Sequence, residues 1–462
     1  MARILLTNAT IVTGASSKKG ALAIDGERIA GIWYRGTGDS DDSKAAGTFT
    51  DAEIIDLEGK ILMAGGIDAH VHFREPGMEY KGDIESESKA ALLGGVTSFI
   101  DMPNTTPQTT DMEAVRDKIK RAGGRAWGNY GFHIGATNTN LGMISGGLGS
   151  EFGGIKVFMG SSTGNMLVSD EEALRKFFMI KDKPILIHSE DEAVIKANLM
   201  AAEAEFGDDI PFSEHPRIRS RKACIRSTAK ALEMAIEYGT RLHVLHVSTA
   251  EEVEMIRAAK LHNPRITAET SANYLWFCDE DYDRLKGRVK CNPAVKGAAD
   301  REALRKGLAE GVIDTIGSDH APHLLSEKEA PYLRCPSGLP SIQQSLAVVL
   351  TAADIFNKGK EDSRCLTLSR IASAFSERPA EILGIKDRGS LKAGNFADLV
   401  VIDPDREYSV ADSAYKCAWS PYDGTPLRSR IDRVFLNGRQ VVTSALLVTS
   451  SPAALPLTFT RS

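Results

Sequence analysis

Two histidines stand two residues apart at the end of an apolar run in DAHVHFREPG, the segment from Asp68 to Gly77. Side chains at i and i+2 of a strand point to one side, so His70 and His72 can reach one metal ion together. Arg74 shares their parity and would set a guanidinium beside that metal, able to hold a carboxylate through two parallel hydrogen bonds. A metal next to an anion clamp points to an enzyme.

Other apolar runs end in the same way. TSFIDMPN closes on Asn104, PILIHSE carries His188, RLHVLHVS carries His246, DTIGSDHAPH carries Asp319, and Lys156 lies inside GGIKVFMG. A single histidine at such a place is more often structural than a ligand, but several at successive strand ends favour a metal site. Lys156 is costly to desolvate as a cation. Either it snorkels or is ion-paired, or its burial favours the neutral amine. A neutral amine can add carbon dioxide, and the resulting carbamate can bridge two divalent ions.

These side chains need a scaffold that brings strand ends together. Residues from Arg3 to about Leu62 read as short strands, RILLTNATIV, ALAIDGERIAGIW and EIIDLEGKILM, with an Asp-Gly turn in IDGERI. From about Ala64 strand and helix patterns alternate, which implies a parallel sheet. Eight apolar runs in that order give a (β/α)8 barrel, whose catalytic residues sit at the C-terminal ends of its strands. After a helical segment near Leu366 to Leu383 the strands return in GSLKAGNFADLVVIDP and IDRVFLNGRQVV. The expected architecture is α/β: a TIM-like (β/α)8 barrel over residues 64–387 and a small β-sandwich formed from residues 1–63 and 388–462. Ser169 with Glu172 reads as a capping box before EEALRKFFMI, and Thr249 as the cap of AEEVEMIRAAK. The irregular stretch from Pro322 to Pro340 follows the last barrel strand and is a candidate lid.

At 462 residues the chain can fill one large core and a smaller one. Its net charge of -6, with 26% charged residues, includes no Lys/Arg run that suggests a nucleic-acid or membrane surface. A small-molecule substrate is the expected partner. The six cysteines form no C-x-x-C pair, so neither a disulfide framework nor a zinc ribbon is indicated. Cys278 and Cys291 read as buried apolar residues. The N-terminus lacks the layout of a signal peptide and no apolar run is long enough to span a bilayer, so a cytoplasmic, unprocessed protein is expected.

DAHVHFREPG, GGIKVFMG, IHSE, LHVS and GSDHAPH fall in the order and spacing of the cyclic-amidohydrolase branch of the amidohydrolase superfamily. Over nearly its whole length the chain resembles the dihydroorotases of that branch. The resemblance implies two zinc ions, the first held by His70, His72 and Asp319 and the second by His188 and His246, with carboxylated Lys156 bridging both. It implies that Asp319 also carries the proton. The implied reaction is reversible conversion of N-carbamoyl-L-aspartate to L-dihydroorotate in pyrimidine synthesis. A homo-oligomer and an association with aspartate carbamoyltransferase are further implied partners.

Dihydropyrimidinases, hydantoinases and allantoinases share these metal ligands, so the substrate must be chosen elsewhere. In dihydroorotases the substrate carboxylate is gripped at the positions that Arg74, Asn104 and His323 occupy here, and Asn292 resembles the residue that contacts the pyrimidine ring. The bland alternatives are an ion pair of Arg74 with Glu75 or Glu79, and a turn role for Asn104. Dihydropyrimidinases carry a tyrosine shortly after the bridging lysine, whereas this chain reads MGSST, with Ser161 in place of an aromatic. Asn273 stands where many relatives carry a histidine. The alternatives are an allantoinase or hydantoinase, and a non-catalytic scaffold of the same fold.

Overall fold

A computed structural model describes residues 3–35, 45, 47–146, 149–160, 166–361 and 364–460. The N-terminal part supplies five strands: β1 (Arg3–Val12), β2 (Ser17–Asp25), β3 (Arg28–Tyr34), β4 (Glu53–Asp56) and β5 (Ile61–Ala64). Along β1, Ile4 and Leu6 and then Ala9 and Ile11 enter the same core, although their parities differ. The register with β2 shifts between Leu6 and Ala9, where Asn8 takes a φ of 51°. Such a bulge inserts one residue and returns the apolar side chains to the same face. The β2–β3 turn runs through Gly26 and Glu27, one residue later than the Asp-Gly reading, because Asp25 still pairs with Arg28.

Next come the barrel strands: β6 (Gly66–Val71), β7 (Val96–Asp101), β8 (Asn129–Phe132) with its short continuation β9 (Ile134–Gly135), β10 (Ile155–Phe158), β11 (Ile185–His188), β12 (Leu242–Val244), β13 (Thr267–Ser271) and β14 (Thr315–Gly317). β6 to β8 form one parallel ladder and β9 to β14 another, in chain order. The ring closes where Val71 bridges His320 and the His72 N–H donates to the His320 carbonyl at 2.7 Å. Residues in these strands are buried throughout, as expected where helices cover one face and the barrel interior the other. This is the predicted (β/α)8 barrel.

β15 (Leu399–Asp403) then pairs antiparallel with β5, and β18 (Arg430–Leu436), β19 (Arg439–Thr443) and β20 (Leu446–Leu447) extend the same nine-stranded sheet. The β-sandwich is thus one sheet curled on itself, with the Ile29 N–H reaching the Asn395 carbonyl and the Ala397 N–H the Glu27 carbonyl, both at 2.9 Å. Not all of residues 388–462 lies in it. A two-stranded ladder, β16 (Tyr408–Ser409) with β17 (Pro426–Leu427), brackets Tyr415, Trp419 and Tyr422, which pack into the barrel's cluster. Leu457 and Phe459 pack with Ile67, Ile100 and Leu186. Aromatic bulk, not strand period, decides where these segments go.

Local capping follows the sequence at one helix and departs at another. Thr249 and Glu252 form the capping box of Ala250–His262. For Glu171–Phe178 the cap is Asp170, whose carboxylate accepts from the Ala173 N–H, instead of Ser169 with Glu172; a charged acceptor there also complements the helix dipole. The stretch from Pro322 to Pro340 is packed down, with Lys328 Nζ donating to the carbonyls of Lys290, Pro336 and Gly338 at 2.9, 2.7 and 2.9 Å. Among the described residues no helix is long and apolar enough to cross a membrane. All six cysteines are free, and all but Cys365 are buried.

A buried polar knot joins the sheet to the barrel. Arg388 donates to Asp398 and to Asn437, the Asn437 N–H donates to Asp398, and Asn129 at the start of β8 bonds both Asp398 and Asn437. Removing one member leaves a buried charge uncompensated. Asp398→Ala should cost about 3–5 kcal/mol, and Arg388→Met added to it should recover part of that loss. Urea unfolding followed by tryptophan fluorescence reads both. An Asp398→Ala midpoint equal to wild type would show that the knot contributes nothing.

Candidate metal centre

The polar residues singled out from the sequence converge at the C-terminal ends of the barrel strands. Arg74, His246 and Asp319 have φ values of 71°, 37° and 48°, a left-handed conformation uncommon for residues other than glycine. Each follows the end of its strand, so the chain turns sharply there and swings a side chain inward. Such strain concentrates where a site needs it. The turn after β6 is held by Asp101 at the end of β7, whose carboxylate accepts from the Phe73 N–H at 2.8 Å and from Lys118 Nζ at 2.7 Å.

His70, His72 and Asp319 form a group that can hold a metal ion, their ligand atoms all within 4.8 Å of one another. His70 Nδ1 lies 2.6 Å from Glu269 Oε1 and His72 Nδ1 lies 2.7 Å from Asn104 Oδ1. Both partners are acceptors, so each Nδ1 carries the proton and each Nε2 keeps its lone pair for a metal. Those two Nε2 atoms are 3.3 and 3.2 Å from Asp319 Oδ1. Burial holds His70 well below the usual histidine range, so a metal meets a neutral imidazole there. Burial pushes the Asp319 carboxyl up, but His70 and His72 outweigh it and the net shift is downward.

His188 and His246 present a second pair of donors. His188 Nε2 faces Glu190 Oε2 at 3.1 Å, and Glu190 is in turn paired with Arg219 at 2.6 Å. That leaves His188 Nδ1, which lies 2.9 Å from His246 Nε2. Burial keeps both rings neutral by lowering their pKa values; with the His246 proton on Nε2 the two nitrogens share a hydrogen bond, and with it on Nδ1 both lone pairs are open to one cation. The donor set therefore fits a cation. Lys156 is 1% exposed, with Nζ 4.7 Å from the centre of the Phe158 ring. Burial lowers its pKa to about 7, which leaves a substantial share of neutral amine near neutral pH.

Beside the histidines the cavity is walled by Arg74, Asn104, Asn292, Ser337 and Gly338. Arg74 does not pair with Glu75, which binds Arg125 instead; its Nε donates to the Pro322 carbonyl at 3.1 Å and its Nη2 lies 2.9 Å from His323 Nε2. Asn292 Oδ1 is buried and has no hydrogen-bond partner among the described residues. Asn104 lines the cavity while holding His72. His323 does not line it: it stands behind Arg74, with Nε2 also 3.1 Å from the Ser337 carbonyl. Gly338 permits this approach, with φ at 139° and an added Cβ 3.0 Å from His323 Nε2.

Sequence reasoning missed Glu269 and Glu190. Both were within reach of the rule that found the histidines, since Glu269 sits in the apolar strand RITAET and Glu190 closes IHSE. Gly317 carries a related signal, because a Cβ there would lie 2.6 Å from the Glu269 carboxyl carbon. Asn273 is buried outside the cavity wall, where it accepts from the Tyr422 hydroxyl at 2.7 Å and donates to the Ser318 carbonyl at 3.3 Å. Ser161, the position set against the dihydropyrimidinase tyrosine, lies outside the described residues.

The pattern of the amidohydrolase family matches residues 61–441. A dihydroorotase of Methanosarcina acetivorans is 33% identical over 391 residues, 80% of this chain and 79% of that protein. An L-hydantoinase of Paenarthrobacter aurescens is 31% identical over 437 residues, 92% of this chain and 91% of its own. The crystallised L-hydantoinase (dihydropyrimidinase) from Arthrobacter aurescens superposes with a TM-score of 0.88 at 27% identity, covering 99% of this chain and 100% of that one. With a His-His-Asp cluster at the mouth of such a barrel, the chain belongs to the amidohydrolase family and is a hydrolase acting on cyclic amides.

Proposed function

We propose that the chain is a dihydroorotase, interconverting N-carbamoyl-L-aspartate and L-dihydroorotate and working toward ring closure in pyrimidine synthesis. The observation that carries this reading is Arg74. Arg74 is 2% exposed at the cavity wall, and the groups its guanidinium meets, the Pro322 carbonyl and His323, are not anions. Burial lowers its pKa to about 10, so it remains a cation at neutral pH. Asp319, Asp101 and Glu327 act on it from further away, and a buried charge with no directly paired counter-charge is unfavourable. A substrate carboxylate completes it, whereas dihydrouracil or a simple hydantoin leaves it as it is.

Two zinc ions, on His70, His72 and Asp319 and on His188 and His246, with carboxylated Lys156 between them, would supply a Lewis acid and acidify a water. The chain's own groups do the rest. Asp319, ionised at neutral pH, accepts the proton of the attacking water and returns it to the leaving ring nitrogen. Arg74 fixes the carboxylate and so the carbonyl to be attacked. The unpartnered Asn292 Oδ1 is placed to accept an N–H of the ring or carbamoyl group. Ring closure requires Asp319 protonated, so it is favoured as pH falls and hydrolysis as pH rises.

The dihydroorotase relatives support this assignment and the L-hydantoinase relative supports a neutral-ring substrate, so a substrate panel decides. Purified protein should turn over N-carbamoyl-L-aspartate and L-dihydroorotate, lose that activity on chelation and regain it with zinc, and leave dihydrouracil, hydantoin and allantoin untouched. Turnover confined to a neutral ring would overturn the reading. Arg74→Met removes a net charge-assisted hydrogen bond of about 1.5–3 kcal/mol, so KM for dihydroorotate should rise roughly 10- to 100-fold. Lys156→Ala should lower the metal content, and native mass spectrometry of the wild type should show an added carbon dioxide on Lys156. A full metal complement in Lys156→Ala would remove the bridging role.

A further inference from the structure

His323 sits between two cations. Lys81 Nζ lies 2.9 Å from His323 Nδ1 and also 2.9 Å from Glu327 Oε1, while Arg74 Nη2 lies 2.9 Å from His323 Nε2. The Ser337 carbonyl lies 3.1 Å from the same Nε2. Glu327 Oε2 is 3.7 Å from Nδ1, beyond hydrogen-bond range, and accepts from the Leu324 N–H at 2.9 Å instead. Lys81 and His323 are both buried.

An ammonium and a guanidinium have donors only, and a carbonyl accepts only. With its proton on Nδ1, a neutral His323 meets two mismatches: Nδ1–H against the Lys81 ammonium, and a bare Nε2 against the Ser337 oxygen. With its proton on Nε2 it meets one, Nε2–H against the Arg74 N–H, while Nδ1 accepts from Lys81 and Nε2–H donates to Ser337. A doubly protonated ring sets two more donors against Lys81 and Arg74. The contacts select the Nε2–H form.

We propose that Lys81 is a positioning residue that fixes His323 as the Nε2–H tautomer and so keeps His323 from accepting the Arg74 Nη2 hydrogen. That hydrogen is then left for an anion in the cavity. The single mismatch of the resting site, two N–H groups at 2.9 Å, is relieved when a carboxylate oxygen accepts from Arg74. Lys81 thus sets the affinity for carboxylated substrates without touching them, a role that rests on the dihydroorotase reading for its substrate but not for its tautomer. No group that Lys81 contacts is a metal donor, so the chemical step is spared.

The test is 15N-labelled histidine NMR of the full-length, substrate-free protein, with the His323 signal identified by its loss in His323→Gln. Wild type should show a protonated Nε2 and a bare Nδ1. In Lys81→Met the proton should move to Nδ1, and KM for N-carbamoyl-L-aspartate should rise at least about tenfold with kcat changed by less than about threefold. Lys81→Arg, which restores a cationic donor, should recover both. A wild-type His323 protonated on Nδ1 overturns the proposal without any variant, as does a Lys81→Met protein with an unchanged tautomer. A tautomer that shifts as expected in a protein that turns over only neutral rings would uphold Lys81 and overturn the dihydroorotase assignment.

Discussion

The seam between the first and last barrel strands is the constraint on which the site depends. β6 and β14 share few backbone contacts, and the Asp68 carboxylate supplies what the ladder lacks. It accepts from the His70 N–H at 3.1 Å and from the Ser318 N–H at 3.2 Å through each oxygen. Burial pushes its pKa up to about 7, against the pull of those donors. The two backbone positions it ties lead directly to His72 on one side and Asp319 on the other. A metal group assembled from strands one and eight therefore has its geometry set by one buried carboxylate that touches none of the ligands' ring or oxygen atoms.

Behind each donor stands a second group that decides which atom faces inward. Glu269 turns His70 and Asn104 turns His72 so that Nε2 is offered, whereas Glu190, itself neutralised by Arg219, turns His188 so that Nδ1 is offered. Such partners fix ring orientation and tautomer and raise ligand basicity. The C-terminal segment adds a further layer. Trp419 Nε1 donates to the His323 carbonyl at 2.7 Å, and Tyr422 holds Asn273, which holds Ser318. The loop after β14 is thus fastened by residues about a hundred positions away, which is why a chain terminus matters to a site it never enters.

Much of this was legible in the sequence, for definite physical reasons. Barrel strands are buried on both faces, so they read as apolar runs, and a polar residue ending such a run stands out; that logic found His70, His72, Asn104, His188, His246 and Asp319. It failed where the deciding contact is tertiary. Nothing local says that Asn104 spends its oxygen on His72, or that His323 lies behind Arg74 and away from the cavity. The cap of Glu171–Phe178 fell one residue late because Ser169 and Asp170 are both good caps and only the backbone chooses. The segment containing Tyr415, Trp419 and Tyr422 falls within the range 388–462 expected for the β-sandwich, yet its rings are taken into the barrel's core.

Substrate choice on this scaffold is a problem of charge more than of shape. Neutral-ring and carboxylated-ring hydrolases can share one set of metal donors, because those donors act on the amide and the amide is common to both. The difference must then lie where the substrate carries a carboxylate or does not. In this chain that part of the wall holds a guanidinium whose neighbours are a carbonyl, an imidazole and, one step further back, an ammonium. The carboxylate that faces the ammonium, Glu327, is engaged by Lys81 and by the Leu324 N–H. Two cations thus stand on one side of the cavity, one behind the other, and no carboxylate hydrogen-bonds the guanidinium among the described residues. A site built in this way gains most from a ligand that brings its own negative charge, and a neutral ring forgoes that gain even where it fits the space.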